Sequence, residues 1–135
     1  MEWKLELVVV PVADQDVAKG FYVDQLGWRL LVDHRAGADF RVVQAVPPGS
    51  DCAIALMRSP ERAGTLSGLH LIVEDIDAAR TDMADRGAQC TEVFHFEDGV
   101  QRAGHDPARR DYNSFMSFSD PDGNSWLVQE VRRQA

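Results

Sequence analysis

The sequence is poor in cysteine, in long apolar runs and in positive charge, and each shortage narrows what it can be. Cys52 and Cys90 are its two cysteines and they form no Cys-x-x-Cys pair, so neither a disulfide framework nor a zinc knuckle is expected. Each lies in a β-like apolar stretch and reads as a small hydrophobe. No apolar run approaches the roughly 20 residues of a membrane-spanning helix. The opening Met1-Glu2-Trp3-Lys4-Leu5-Glu6 has no basic segment ahead of an apolar one. A cytoplasmic protein with no membrane partner is expected. Lys and Arg number 14 against 22 Asp and Glu, a net charge of -8, so phosphate backbones are repelled and nucleic acid is an improbable partner. What is present is a globular balance, 44% hydrophobic and 27% charged over 135 residues, enough for one domain or two small repeats sharing a core.

The chain does repeat itself. Residues 8–28, VVVPVADQDVAKGFYVDQLGW, and residues 69–88, LHLIVEDIDAARTDMADRGA, both pass from a β-branched run to an Asp-x-Asp pair, a helix-periodic segment and a glycine. Asp14 and Asp75 suit the N-cap, where a carboxylate accepts the orphan N–H groups of the first turn. Gly27 and Gly87 suit the left-handed position that ends a helix. Val17, Phe21 and Leu26 fall near one helical face, and Ile76, Ala79 and Met83 near another; both stripes read as core.

Each helix is followed by β-rich stretches. In the first half these are residues 28–33, 40–46 and 52–57; in the second they are 91–96, 113–119 and 125–131, the last two joined by the turn Asp120-Pro121-Asp122-Gly123-Asn124. The order is β-α-β-β-β written twice. The division is module one over 1–58, a polar linker over 59–67 and module two over 68–135. Residues 97–112 read as a long polar loop and candidate lid, with His95, His105, Arg109, Arg110 and Tyr112 as its contact groups. Asp106-Pro107 reads simply as a turn.

Val12-Ala13-Asp14 leading to Phe21-Tyr22 and Leu26-Gly27-Trp28, then Val73-Glu74-Asp75-Ile76-Asp77, then Phe118-Ser119-Asp120-Pro121-Asp122-Gly123-Asn124 make the chain similar to the vicinal oxygen chelate superfamily of glyoxalases, bleomycin-resistance proteins and dioxygenases. The resemblance spans essentially the whole chain. It implies an α+β fold of two βαβββ modules whose sheets curl into an open barrel, with a ligand cavity on the concave side, in a dimer.

The resemblance also implies four metal-ligand positions, one on each of four concave strands. They fall on Leu7, Ala55, Gly68 and Leu127, none of which offers an oxygen or nitrogen donor. A shift of one pleat gives Val9, Met57, His70 and Gln129, a single good ligand and one weak one. No metal or other cofactor is therefore expected, and metal-assisted chemistry loses its Lewis acid.

Strand parity from the same positions gives an inward face of Leu5, Leu7, Val9, Ala53, Ala55, Met57, Gly68, His70, Ile72, Asn113, Phe115, Ser117, Ser125, Leu127 and Gln129. Of these Leu7, Val9, Ala55, Met57, His70, Phe115, Ser117, Leu127 and Gln129, with Tyr112 from the loop, are the expected ligand contacts. Such a face suits a flat or bulky hydrophobic molecule oriented by a few hydrogen bonds. His70 reads either as a hydrogen-bonding or proton-transfer group or as a satisfied core histidine. Trp126 has the opposite parity and reads as core. The function expected is non-catalytic binding and sequestration of a hydrophobic or aromatic natural product, as in antibiotic self-resistance. The alternative is a metal-independent isomerase, lyase or cyclase with His70 as acid or base.

Overall fold

A computed structural model describes residues 1–132. The end of the second module, placed at 135 above, lies outside them. The described residues divide into two compact units: residues 1–66 with 120–124, and residues 67–119 with 125–132.

The first unit holds β1 (Leu7–Val12), α1 (Gln15–Lys19), a π-helical turn (Gly20–Gln25), β2 (Arg29–Ala36), β3 (Phe40–Val46) and β4 (Ala53–Arg58). Its sheet runs β1-β4-β3-β2, with β1 parallel to β4 and the other neighbours antiparallel. Asp14 Oδ1 accepts the N–H groups of Asp16 and Val17 at 2.9 and 3.2 Å, and the helical segment closes on Gly27 at φ 77°, the left-handed value that costs glycine least. Gln15 is buried and its Nε2 donates to the carbonyls of Arg41 and Leu56, both at 2.8 Å, which fastens α1 to β3 and β4. The core is Val10, Val12, Ala18, Tyr22, Val43, Ala45 and Leu56. Val17 departs from the expected stripe: it is 53% exposed. The helical segment widens to a π turn right after α1, which breaks the 3.6-residue period linking Val17 to Phe21.

The second unit holds β5 (Leu69–Val73), α2 (Ile76–Asp85), β6 (Phe94–Glu97), β7 (Val100–Ala103), β8 (Phe115–Ser119) and β9 (Ser125–Glu130). Its sheet runs β5-β9-β8-β6-β7 with β5 parallel to β9. This is the order of the first sheet with one strand added at the edge. Asp75 caps α2 as Asp14 caps α1, accepting from Asp77 and Ala78 at 3.0 and 3.1 Å, and Gly87 takes φ 75°. Ile76, Met83, Met116, Phe118, Trp126 and Val128 are buried, with Phe118 and Trp126 stacked at 5.9 Å. Ala79 is half-buried.

The stretch expected to be a long loop is a correction. Its first part forms the β6–β7 hairpin, in which Asp98 and Gly99 both take positive φ, 53° and 77°, as a tight two-residue turn requires. Residues 104–114 remain irregular.

Candidate functional site

Buried and less buried residues alternate along β8 and β9, because successive side chains leave a sheet on opposite sides. In the first unit Val10, Leu56 and Val43 are in register on the buried face. Their neighbours Val9, Ala55 and Gln44 are in register on the other, with Leu7 beside Ala53 and Met57 beside Pro11. Val9 is 53% exposed, whereas Ala53 and Ala55 are buried.

At one end of this face lies a cavity of about 330 Å³ lined by Val9, Pro11, Met57, Ser59, Arg62, Thr65 and Leu66. Its far wall is the stretch read from sequence only as a linker. Successive turns fix that wall: Arg62 N–H donates to Ser59 O, and Thr65 donates to Arg62 O through both its N–H, at 3.1 Å, and its hydroxyl, at 2.7 Å. Leu66 N–H reaches Asn124 Oδ1, while Asn124 Nδ2 donates to Pro11 O. Gly64, at φ 81°, lies so close to the Asp122 carbonyl that a Cβ there would stand 2.0 Å from its oxygen.

The same 120–124 turn is more than a connection. Asp120 is buried; its Oδ1 accepts the N–H groups of Asp122, Gly123 and Asn124, and its Oδ2 accepts from Asn124 Nδ2 and from the buried Tyr22 hydroxyl at 2.9 Å.

In the second unit the register carries one face through Ile72, Gln129, Phe115 and Phe94, and through His70, Leu127 and Ser117. Phe94, Phe96 and Phe115 form an aromatic cluster with centroids 5.5 to 6.1 Å apart. Phe94 and Phe96 were missed in the sequence reading, although their alternation around His95 was the signal. Phe96 and Ile72 are 43% and 50% exposed. Asn113 is occupied, donating to Phe96 O and accepting from Phe96 N–H, so it extends the sheet. His70 is exposed and neighbours Leu127; Gln129 sits one pleat further along. Its Nδ1 lies 2.8 Å from the Gly68 carbonyl and so donates, leaving Nε2 as an acceptor.

The remaining loop residues are tied down elsewhere in this unit. Glu130 is fully buried; its Oε2 accepts Ile76 N–H at 3.0 Å and Arg109 at 2.6 Å, and its Oε1 accepts Arg109 Nε at 3.0 Å. Burial is the largest influence on that carboxyl and opposes its ionisation, yet Arg109 and the Ile76 N–H together hold it below the usual range. His105 Nδ1 lies 2.7 Å from Asp77 Oδ2. His95 is buried, with Nδ1 donating to Gly104 O and Nε2 making no hydrogen bond among the described residues, 3.9 Å from Glu97 Oε2. Asp106, expected to mark only a turn, is buried and accepts from Arg110, whose guanidinium holds the Asp106 carboxyl well below the usual carboxylate range. Tyr112, 59% exposed and at φ 64°, lies apart from the sheet face in a depression with Arg109, Arg110, Asp111 and Arg132. Cys52 and Cys90 are free thiols, half-buried rather than buried.

Leu7, Ala55, Gly68 and Leu127 supply no metal donor, and no group of three or more His, Cys, Asp or Glu able to hold an ion occurs among the described residues. The side chains present do not fit the divalent ion that such a fold implies.

Each unit is a sheet in which the first strand runs parallel to the last, with a helix over its buried face: four strands in the first unit and five in the second. No helix among the described residues is long and apolar enough to cross a membrane. The chain belongs to the Glyoxalase/Bleomycin resistance protein/Dioxygenase superfamily, which it matches over residues 4–128. Among solved structures it resembles TnmS3, an antibiotic binding protein from Streptomyces sp. CB03234, at 31% identity and a TM-score of 0.72 over 96% of each chain. It also resembles a superfamily member from Sphaerobacter thermophilus DSM 20745, at 29% identity and a TM-score of 0.75 over 96% of this chain and 98% of that one. Among curated proteins it is 26% identical over 126 residues to the uncharacterized protein YetH of Bacillus subtilis (strain 168), covering 91% of this chain and 94% of YetH.

Proposed function

We propose that this protein binds and sequesters a hydrophobic, aromatic small molecule without transforming it, in the cytoplasm and as a homodimer. The observation that carries the reading is the pairing of apolar, core-free sheet faces with four ligand positions that hold no donor: Leu7, Ala55, Gly68 and Leu127. The Phe94, Phe96 and Phe115 cluster offers edges and faces for stacking, and Ser117 and Gln129 offer hydrogen bonds beside it. The similarity to an antibiotic binding protein at 31% identity supports the same reading. Titration calorimetry against a panel of polycyclic aromatic antibiotics, followed by mass analysis of the recovered ligand, tests it. Stoichiometric binding with unchanged ligand is the expected result, and appearance of a product overturns the sequestering role. Light scattering in solution tests the homodimer: twice the 15.0 kDa chain mass is expected, and a monomer overturns it.

A second reading, a metal-independent enzyme, is favoured by one feature. The Nε2 of His70 is left as an acceptor on the core-free face, and a positioned general base is worth about 100- to 10,000-fold in rate. His70→Ala separates the two. An enzyme loses turnover and keeps much of its binding; a binder changes in affinity alone.

A further inference from the structure

The chain is acidic, and five of its eleven described arginines are matched to carboxylates: Arg41 to Asp16 and Asp33, Arg80 to Glu92, Arg86 to Asp82, Arg109 to Glu130, Arg110 to Asp106. Arg62 differs. Among the described residues its guanidinium makes no hydrogen bond or ion pair, and it stands at the rim of the cavity whose floor is Val9, Pro11 and Met57. No carboxylate lines that cavity. Its neighbour in the chain, Glu61, is already occupied by the Ser59 hydroxyl and is held below its usual range first by its own backbone N–H, then by that hydroxyl, and least by Arg58 and Arg62.

The two hydroxyls in the lining are spent as donors, Ser59 on Glu61 and Thr65 on Arg62 O. Arg62 is then the one side chain lining the cavity with N–H groups still to give. Its backbone is pinned at both N–H and carbonyl, and the wall beyond it is locked by Gly64 against Asp122 and by Leu66 on Asn124. A guanidinium carried on a fixed stretch of backbone beside an apolar lining presents a fork that matches a planar or tetrahedral oxyanion.

We infer that Arg62 is the specificity-determining residue of this cavity, and that the ligand is an aromatic molecule bearing an acidic group, a carboxylate, phenolate or sulfonate, which Arg62 holds while the ring system lies on Val9 and Met57. This rests on the reading of the core-free face as a ligand-binding face. The fluorescence titration that tests it uses two probes with one skeleton: 1-anilinonaphthalene-8-sulfonate, and the uncharged N-phenyl-1-naphthylamine. The folded wild-type protein binds the sulfonate roughly 5- to 10-fold more tightly than the neutral probe. Arg62→Gln abolishes that preference and leaves the neutral probe's affinity unchanged; Arg62→Lys, a charge without the fork, keeps part of it. Val9→Trp fills the floor and loses both probes. Equal affinities in the wild type, a preference that survives Arg62→Gln, or undiminished binding in Val9→Trp overturns the inference while the binding face stands. Failure of both probes to bind the wild type overturns the binding face itself, and the inference with it.

Discussion

Replacing Arg109 by Met removes the guanidinium that, among the described residues, pairs with a carboxylate that has no exposure of its own, while keeping a side chain of similar length. The wild-type pair is bidentate, at 3.0 and 2.6 Å, and Glu130 Oε2 also takes the Ile76 N–H at the start of α2. Removing one partner of a buried pair typically costs about 3–5 kcal/mol. The Arg109 side chain is 25% exposed, so water replaces part of what is lost and about 2–4 kcal/mol is expected. With a urea slope of about 1.5 kcal/mol/M, the unfolding midpoint falls by roughly 1.3–2.7 M.

The loss has a pH signature. In the wild type the Glu130 pKa is below its unfolded value, so its contribution is present above that value and disappears as pH falls through the folded one. Without Arg109, burial is left as the main influence and the folded pKa rises above the unfolded value. The penalty is then full near pH 7 and shrinks as Glu130 protonates on the way to about pH 4. Urea denaturation at pH 7 and pH 4.5 reads both. A cost under about 0.5 kcal/mol at pH 7, within the range of an ordinary surface substitution, refutes the assignment of this pair as buried and uncompensated. So does a penalty that does not change with pH.

Three further outcomes follow from contacts already described. Gly64→Ala places a Cβ against the Asp122 carbonyl at positive φ and should lower stability by roughly 2–3 kcal/mol, whereas Gly49→Ala, with nothing within 4 Å, should cost only about 1 kcal/mol for its φ; equal midpoints for the two in thermal unfolding would remove the close approach from the account. Tyr22→Phe deletes one of two donors to Asp120 Oδ2 and should cost about 1–2 kcal/mol in urea unfolding, with no effect indicating that the hydroxyl contributes nothing to holding the turn. Phe115→Ala should reduce affinity for an aromatic probe about 10-fold while costing less stability than the 3–5 kcal/mol of a core Phe, since Phe115 is half-buried; unchanged affinity would take the aromatic cluster out of the binding face.

What could be read from the sequence is what has a short period or a local chemical requirement. Asp14 and Asp75 had to precede helices and Gly27 and Gly87 had to end them, so the repeat disclosed the doubled topology. Alternation assigned Trp126 to the core and Leu127 to the opposite face because parity in a strand is set by covalent geometry. The β6–β7 hairpin was also legible, in Asp98-Gly99 between two β-rich stretches, but the polar composition around it suggested a loop. Val17 was misassigned because a π turn leaves no mark in a period of 3.6. The Arg109–Glu130 pair spans 21 positions through an irregular segment, and the wall bearing Arg62 depends on Gly64 meeting the backbone of Asp122. Neither has a local pattern, since both are made by tertiary packing of residues whose types alone fit any solvated loop.

The most direct measurement is a methyl and amide NMR titration of the isotopically labelled protein with 1-anilinonaphthalene-8-sulfonate. The account predicts shifts at Val9 and Met57, on the face of the first sheet away from its helix, with Val10 and Leu56 unmoved. Shifts confined to the core residues, or to the depression around Tyr112 and Arg132, would contradict it.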